Sequence, residues 1–150
     1  PMRRASEMPW VDSMIQIGLR GAGSGRRAEV DAAREFGSIL VKADELHKTG
    51  VEKVLRKVPP AAHYYVTVDI DGLDPSIAPA TGAPEFGGLS YYEATDLLKG
   101  IASKGNLVGF DMVEVAPSLG GGNSTSLLAA QLILNMIGAL VQERQIKSDG

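Results

Sequence analysis

Several features that would place a protein in a broad functional class are missing from this chain. Cysteine is absent from its 150 residues, so the chain has no disulfide framework and no thiolate metal site. Any metal ion would therefore be bound through oxygen and nitrogen ligands. The formal net charge is −3, and no basic stripe is available to contact phosphates, which argues against nucleic-acid binding.

The chain also lacks an uninterrupted apolar run of membrane-spanning length. Its longest apolar stretch, residues 127–141, is broken by Gln131, Asn135 and Gly138, and we expect no membrane partner. We find no signal-peptide pattern and expect a cytoplasmic protein. The 44% hydrophobic content is sufficient for a buried core, and the length fits one domain over residues 1–150.

Short apolar runs alternate with helical patterns along the chain. The third run is apolar on both faces, as in a buried parallel strand. A capping box, Ser90-x-x-Glu93, marks the start of one helix. Alternation of this kind predicts an α/β fold with a parallel sheet covered by helices. The predicted strands span residues 14–19, 38–41, 64–70 and 107–115, and the predicted helices span residues 26–36, 51–58, 91–104 and 125–144. The last helix is apolar almost all round, so we expect it to be buried.

Acidic side chains follow two of these strands. Asp69 and Asp71 stand two positions apart at the end of the third strand, and Glu114 lies at the end of the fourth. Side chains at i and i+2 of a strand share a face about 6.6 Å apart and can bind divalent cations together. Ligands of open α/β sheets lie beyond the carboxyl ends of the strands, so we expect the three acids to form a cation site there. The alternative is that the aspartates cap the following turn.

The residues around this acidic pair resemble a known family. The segment Thr-Val-Asp-Ile-Asp at residues 67–71, followed by a loop with prolines at fixed spacings that closes at Gly88, resembles the third signature of the ureohydrolases. That family includes the arginases, agmatinases and guanidinobutyrases. Residues 108–117 resemble its later strand, which ends in a substrate-reading Glu, and residues 123–132 resemble the agmatinase branch. The resemblance extends over nearly the whole chain.

The resemblance implies a fold, a cofactor and a reaction. The fold would be arginase-like, a three-layer parallel sheet with helices on both faces, and the complete enzyme would bind two Mn²⁺ ions. Asp69 would bridge the two ions and Asp71 would chelate one of them, and together the ions would generate the hydroxide that releases urea. Glu114 would hold the guanidinium as the catalytic and substrate-binding carboxylate, and Thr81 would add a hydroxyl contact. Agmatine is the first candidate substrate, 4-guanidinobutyrate and arginine are alternatives, and homo-oligomers (trimers or hexamers) are implied.

Two other signatures of the family do not occur in the chain. Gly-Gly-x-His and Asp-x-His-x-Asp segments supply the remaining metal ligands in the family, and neither is present. We therefore expect residues 1–150 to be the C-terminal part of a single ureohydrolase domain, inactive alone. Two alternatives stay open, a non-catalytic fragment or subunit and a haloacid-dehalogenase-type phosphatase with Asp69 as the nucleophile. Asp74 is predicted to form a turn, and Asp111 to be a polar partner within the sheet.

Overall fold

The computed structural model describes residues 1–21, 25–120 and 122–146, and its contacts divide the chain into two compact units. The first unit, Pro1–Pro59, contains one parallel strand pair in which Ile15 is opposite Ile39. Its core contains the fully buried Val41. The elements of this unit are α1 (Met2–Ser6), β1 (Ile15–Leu19), α2 (Arg27–Phe36), β2 (Ile39–Lys42), α3 (Ala43–Thr49) and α4 (Val51–Leu55).

Glycines set two of the helix boundaries in this unit. As predicted, α2 ends at Gly37, whose left-handed backbone (φ 86°) closes the helix. Before the predicted helix over residues 51–58 the structure has a separate helix, α3, and Gly50 (φ 83°) separates it from α4. Helix α4 ends at Leu55, so the predicted helix was too long at its C-terminal end. Helix α3 was missed because it contains few apolar positions.

The second unit, Pro60–Gly150, contains the other parallel strand pair, and this unit carries the acidic residues. Asp69 on β3 lies opposite Val113 on β4, so both strands deliver their carboxyl ends to the same edge. A fully buried Ile70 follows β3 and packs into the core. The elements of this unit are β3 (His63–Asp69), α5 (Tyr91–Ala102), β4 (Asn106–Val113) and α6 (Ser124–Gln142), with 3₁₀ turns at Ile70–Gly72 and Pro117–Leu119.

The core of the second unit lies between this strand pair and the helices α5 and α6. Helix α5 begins with the predicted capping box, in which the Ser90 hydroxyl accepts the backbone N–H of Glu93. Leu132 and Met136 of α6 lie in this core and are 0% and 1% exposed. Val66 and Val68 of β3 pack against the core from the strand side. The acidic edge of the sheet is therefore supported by a close-packed layer.

Two burial predictions are wrong for the described residues. β3 alternates, with Tyr65, Thr67 and Asp69 on an exposed face, because only the valine side of the strand meets the core. Helix α6 is not buried all round, since Leu127 is 64% and Leu134 65% exposed. By length and composition α6 could cross a membrane, but the core helix of a soluble protein passes the same test, and one face of α6 is core here.

Candidate functional site

The carboxyl end of β3 places Asp69 and Asp71 in a turn. β3 stops at Asp69, and Asp71 lies inside the 3₁₀ turn Ile70–Gly72, where its backbone N–H donates to Asp69 Oδ1 at 3.2 Å. The prediction that both aspartates occupy one strand face is therefore wrong, because the chain turns as Ile70 enters the core. This hydrogen bond agrees with the alternative interpretation, in which the aspartates cap the turn after β3. The Asp69 carboxyl group also hydrogen-bonds the side chain of Asp71.

Negative charge accumulates at Asp69. Partial burial of its carboxyl group, together with the neighbouring charges of Asp71 and Glu114, raises the pKa of Asp69 to about 6. Asp71 and Glu114 are thus close enough to Asp69 to disfavour its ionised form. Within residues 1–21, 25–120 and 122–146, however, no group of three His, Asp or Glu side chains could hold a metal ion. The expected three-acid cation site is wrong for this part of the chain, which offers the aspartate pair alone.

Glu114 follows directly after β4 in an unusual backbone conformation. Its φ is 62°, in the left-handed region that residues other than glycine rarely adopt. A Cβ atom placed on Gly82 would lie 3.5 Å from Glu114 Oε2, so the carboxylate rests against this glycine. The backbone N–H of Ala116 donates to the Ala80 carbonyl at 2.9 Å and ties the two segments together. The left-handed turn therefore directs Glu114 toward the loop after β3.

Thr81 sits in that loop, beside Gly82. The residue is 3% exposed, and its hydroxyl has no hydrogen-bond partner among the described residues. The preceding Ala80 is fully buried, and its N–H donates to the Thr125 hydroxyl of α6 at 3.0 Å. Buried hydroxyls without partners are rare in folded proteins, which makes Thr81 a candidate for contact with a bound molecule. Thr81 and Glu114, both predicted site residues, are thus brought together around Gly82.

Asp74 has a larger structural role than its predicted turn. Its carboxylate accepts the backbone N–H of Ser76 at 3.0 Å, as the turn prediction requires, and also those of Gly87 at 2.9 Å and Gly88 at 3.3 Å. These hydrogen bonds, those from Ser76 foremost, lower the pKa of Asp74 to about 2. Sequence analysis missed the second pair of bonds, although the Gly-Gly pair closing the loop was a usable signal.

Asp111 of β4 is the polar partner that the sequence predicted. It accepts hydrogen bonds from the Tyr65 hydroxyl at 2.9 Å and from the Thr67 hydroxyl at 2.6 Å, both from β3. Because the Tyr65 hydroxyl donates to this carboxylate, the pKa of Tyr65 is raised. The three side chains form a polar bridge across the exposed face of the strand pair. That bridge joins the strand that ends in Asp69 to the strand that precedes Glu114.

The fold and the site together define an α/β protein with carboxylates gathered where parallel strands end. The Arginase family model matches residues 1–138, and the chain belongs to that family. It is 38% identical over 148 residues to a guanidinopropionase of Pseudomonas aeruginosa, covering 95% of this chain and 46% of the relative. It is 35% identical over 138 residues to an agmatinase of Halalkalibacterium halodurans, covering 91% of this chain and 46% of the relative.

A solved structure gives the same result for the fold. Proclavaminate amidino hydrolase from Streptomyces clavuligerus matches with a TM-score of 0.77 and 36% identity, over 87% of this chain and 44% of that one. The arginase-like α/β fold is therefore confirmed. The chain spans just under half the length of these relatives, in agreement with the expectation of a partial chain. Membership in this family also removes the haloacid dehalogenase alternative.

Proposed function

We propose that this chain is part of a ureohydrolase that releases urea from a small guanidino compound. The observation that carries the proposal is the placement of Glu114, whose carboxylate rests against Gly82 beside the buried Thr81 hydroxyl, which has no hydrogen-bond partner among the described residues. A guanidinium is permanently charged and presents a planar fork of N–H donors. A carboxylate next to a hydroxyl acceptor suits such a group in charge and in hydrogen bonding.

A pair of Mn²⁺ ions fits the donor chemistry at Asp69 and Asp71. Both residues supply hard carboxylate oxygens, which suit Mn²⁺. Partial burial, together with the neighbouring charges of Asp71 and Glu114, raises the pKa of Asp69, and a bound cation would favour its ionised form. Further ligands are needed, since the described residues contain no group of three. When bound, divalent ions of this kind lower the pKa of a coordinated water and so supply a nucleophile near neutral pH.

The chain's own residues orient the substrate toward that nucleophile. In the proposal Glu114 accepts two N–H bonds from the guanidinium and matches its charge, and Thr81 accepts a third. Asp69 and Asp71 would hold the cations at the same edge of the strand pair, which is where Glu114 would bind the guanidinium group. Glu114 is exposed in the described chain, and its contact with substrate therefore needs no movement of the core. Orientation of this kind accounts for a large part of the rate of many bimolecular reactions.

We propose agmatine as the substrate, with 4-guanidinobutyrate or arginine as alternatives. The agmatinase relative supports the first, and the guanidinopropionase relative supports an ω-guanidino acid. The far end of the substrate, an amine or a carboxylate, distinguishes these compounds, and its recognition is assigned to no described residue. We also propose a cytoplasmic homo-oligomer, a trimer or hexamer. Residues 1–150 alone are proposed to be inactive, because they carry only two of the metal ligands.

Urea release by the protein as it occurs in its source tests the proposal. We expect Mn²⁺-dependent urea release from at least one of these guanidino compounds. Glu114→Gln removes the charge and keeps the shape of the side chain. We expect it to reduce kcat/KM by about 10- to 150-fold, which is the loss expected when a hydrogen bond to a charged group is weakened. Glu52→Gln, the same change at an exposed position of α4, is the matched control. Near wild-type activity of Glu114→Gln would refute the role of this residue.

A further inference from the structure

One side chain, that of Asp74, links the two ends of the loop between β3 and α5. Asp74 Oδ1 accepts the N–H of Ser76, and Oδ2 accepts the N–H groups of Gly87 and Gly88. The backbone of Asp74 also donates to the Leu89 carbonyl at 3.0 Å. Asp74 therefore joins the two ends of a segment whose remaining residues pass through the candidate site. We call residues 74–88 the site loop.

The two ends of the site loop approach each other as closely as backbone allows. A Cβ atom on Gly88 would lie 2.4 Å from the carbonyl carbon of Leu73, a distance that no side chain tolerates. Gly87 has a φ of 75°, which favours glycine as well. The turned backbone exposes two N–H groups toward Asp74, and three N–H groups in all require an acceptor-only side chain. An ionised aspartate meets that need, whereas an asparagine replaces one acceptor with a donor.

The far part of the site loop carries the residues proposed to meet the guanidinium. Ala80 is held by Thr125 on one side and by Ala116 on the other. Thr81 and Gly82 follow at once, and Gly82 lies against the Glu114 carboxylate. The loop is thus fixed at two places, at its base by Asp74 and near its middle by Ala80. Without the Asp74 carboxylate, the base of the loop would rest on backbone hydrogen bonds such as those of Leu89 with Gly72 and Asp74.

We propose that Asp74 is a positioning residue, which closes the site loop and thereby holds Thr81 and Gly82 beside Glu114 for guanidinium binding. Asp74 touches neither substrate nor metal in this proposal, which rests on the proposed function. Its effect is transmitted by the path of the backbone between residues 74 and 88. Binding of Mn²⁺ by Asp69 and Asp71 is consequently expected to be independent of Asp74, because both aspartates precede the loop.

The test compares Asp74→Ala and Asp74→Asn with Asp96→Ala in the protein as it occurs in its source. Asp96→Ala is the matched control, since it makes the same change at an exposed position of α5, outside the site loop. Hydrogen exchange of the Gly87 and Gly88 amides reports on closure without any activity. We expect these amides to exchange at least about tenfold faster in Asp74→Ala, with unchanged protection at the core residue Leu132. Asp96→Ala is expected to match wild type.

The kinetic readout separates positioning from general stability. In Asp74→Ala we expect Mn²⁺ content to be unchanged and kcat/KM for the guanidino substrate to fall by about 10- to 100-fold, mainly through a higher KM. Asp74→Asn keeps one acceptor oxygen, so its kcat/KM should lie between those of wild type and Asp74→Ala. If the alanine variant does not fold, the asparagine variant provides the test. Wild-type KM with wild-type amide protection in the folded variants overturns the inference. A wild-type protein without urea release refutes the proposed function, and the exchange result then still decides whether Asp74 closes the loop.

Discussion

Replacing Thr125 by valine tests the link between helix α6 and the site loop. Thr125 is 0% exposed, and its hydroxyl accepts the N–H of Ala80, which is itself 0% exposed. Valine has nearly the shape of threonine, so packing is kept and the acceptor is lost. The Ala80 N–H is then buried without a partner, which costs about 1–3 kcal/mol. This range is the expected loss in free energy of unfolding.

Urea denaturation of the purified protein measures that loss. With an m-value of about 2 kcal/mol/M, the expected midpoint shift is roughly 0.5–1.5 M at unchanged m. Thr95→Val in α5 is the control, because Thr95 is 2% exposed and its hydroxyl donates to the Tyr92 carbonyl, so no buried N–H loses an acceptor. That control loses one hydrogen bond but leaves no buried N–H unpaired, so we expect it to cost about 0.5–1.5 kcal/mol and less than Thr125→Val. Equal losses in the two variants would refute the reasoning.

Four further predictions concern the site and its support. The pKa of Asp69 is about 6 in the folded protein, above the ordinary value of 3.8, so folding favours the protonated carboxyl group. The stability that protonated Asp69 contributes is fully present below pH 3.8 and is lost as the pH rises through 6. The metal-free protein should therefore lose stability over this window, and Asp69→Asn should abolish that dependence in denaturation series at fixed pH values. Mn²⁺ affinity, measured by calorimetry, should fall below pH 6 as protons compete, and a pH-independent affinity would contradict this prediction. Gly88→Ala should destabilise the protein markedly, because the new Cβ would meet the Leu73 backbone at 2.4 Å, whereas Gly138→Ala, with nothing within 4 Å, should be neutral or stabilising in thermal denaturation. Leu132→Ala should cost about 2–5 kcal/mol as a fully buried core truncation, and a loss below 1 kcal/mol in urea denaturation would show that Leu132 is not central to the core.

Local signals predicted much of the fold. The capping box at Ser90 and Glu93 located the start of α5, and Gly37 located the end of α2, because each acts through its own backbone neighbours. The helix α3 was missed, since a seven-residue helix has too few apolar positions to show a period. The exposed face of α6 was also missed, because composition reports how apolar a helix is and not how many neighbours it has.

The site was predictable in its residues and less so in its geometry. Asp69, Asp71, Glu114 and Thr81 were selected from the sequence, but their roles remain predictions. The 3₁₀ turn that moves Asp71 off the strand depends on the burial of Ile70, a tertiary effect. The hydrogen bonds of Asp74 to Gly87 and Gly88 join residues 13 and 14 positions apart, and the Gly-Gly pair signals a close turn without showing which carboxylate will accept its N–H groups.

The left-handed backbone of Glu114 has a consequence for the evolution of this protein. Holding a residue other than glycine at φ 62° costs on the order of 1 kcal/mol, so glycine at this position is expected to give a more stable chain. Comparison of Glu114→Gly with Glu114→Gln in urea denaturation would show this as a higher midpoint for the glycine variant. Selection for stability alone would thus remove the very carboxylate proposed to bind substrate. Thermostabilisation of this protein should leave position 114 unchanged, because stability and activity oppose each other there.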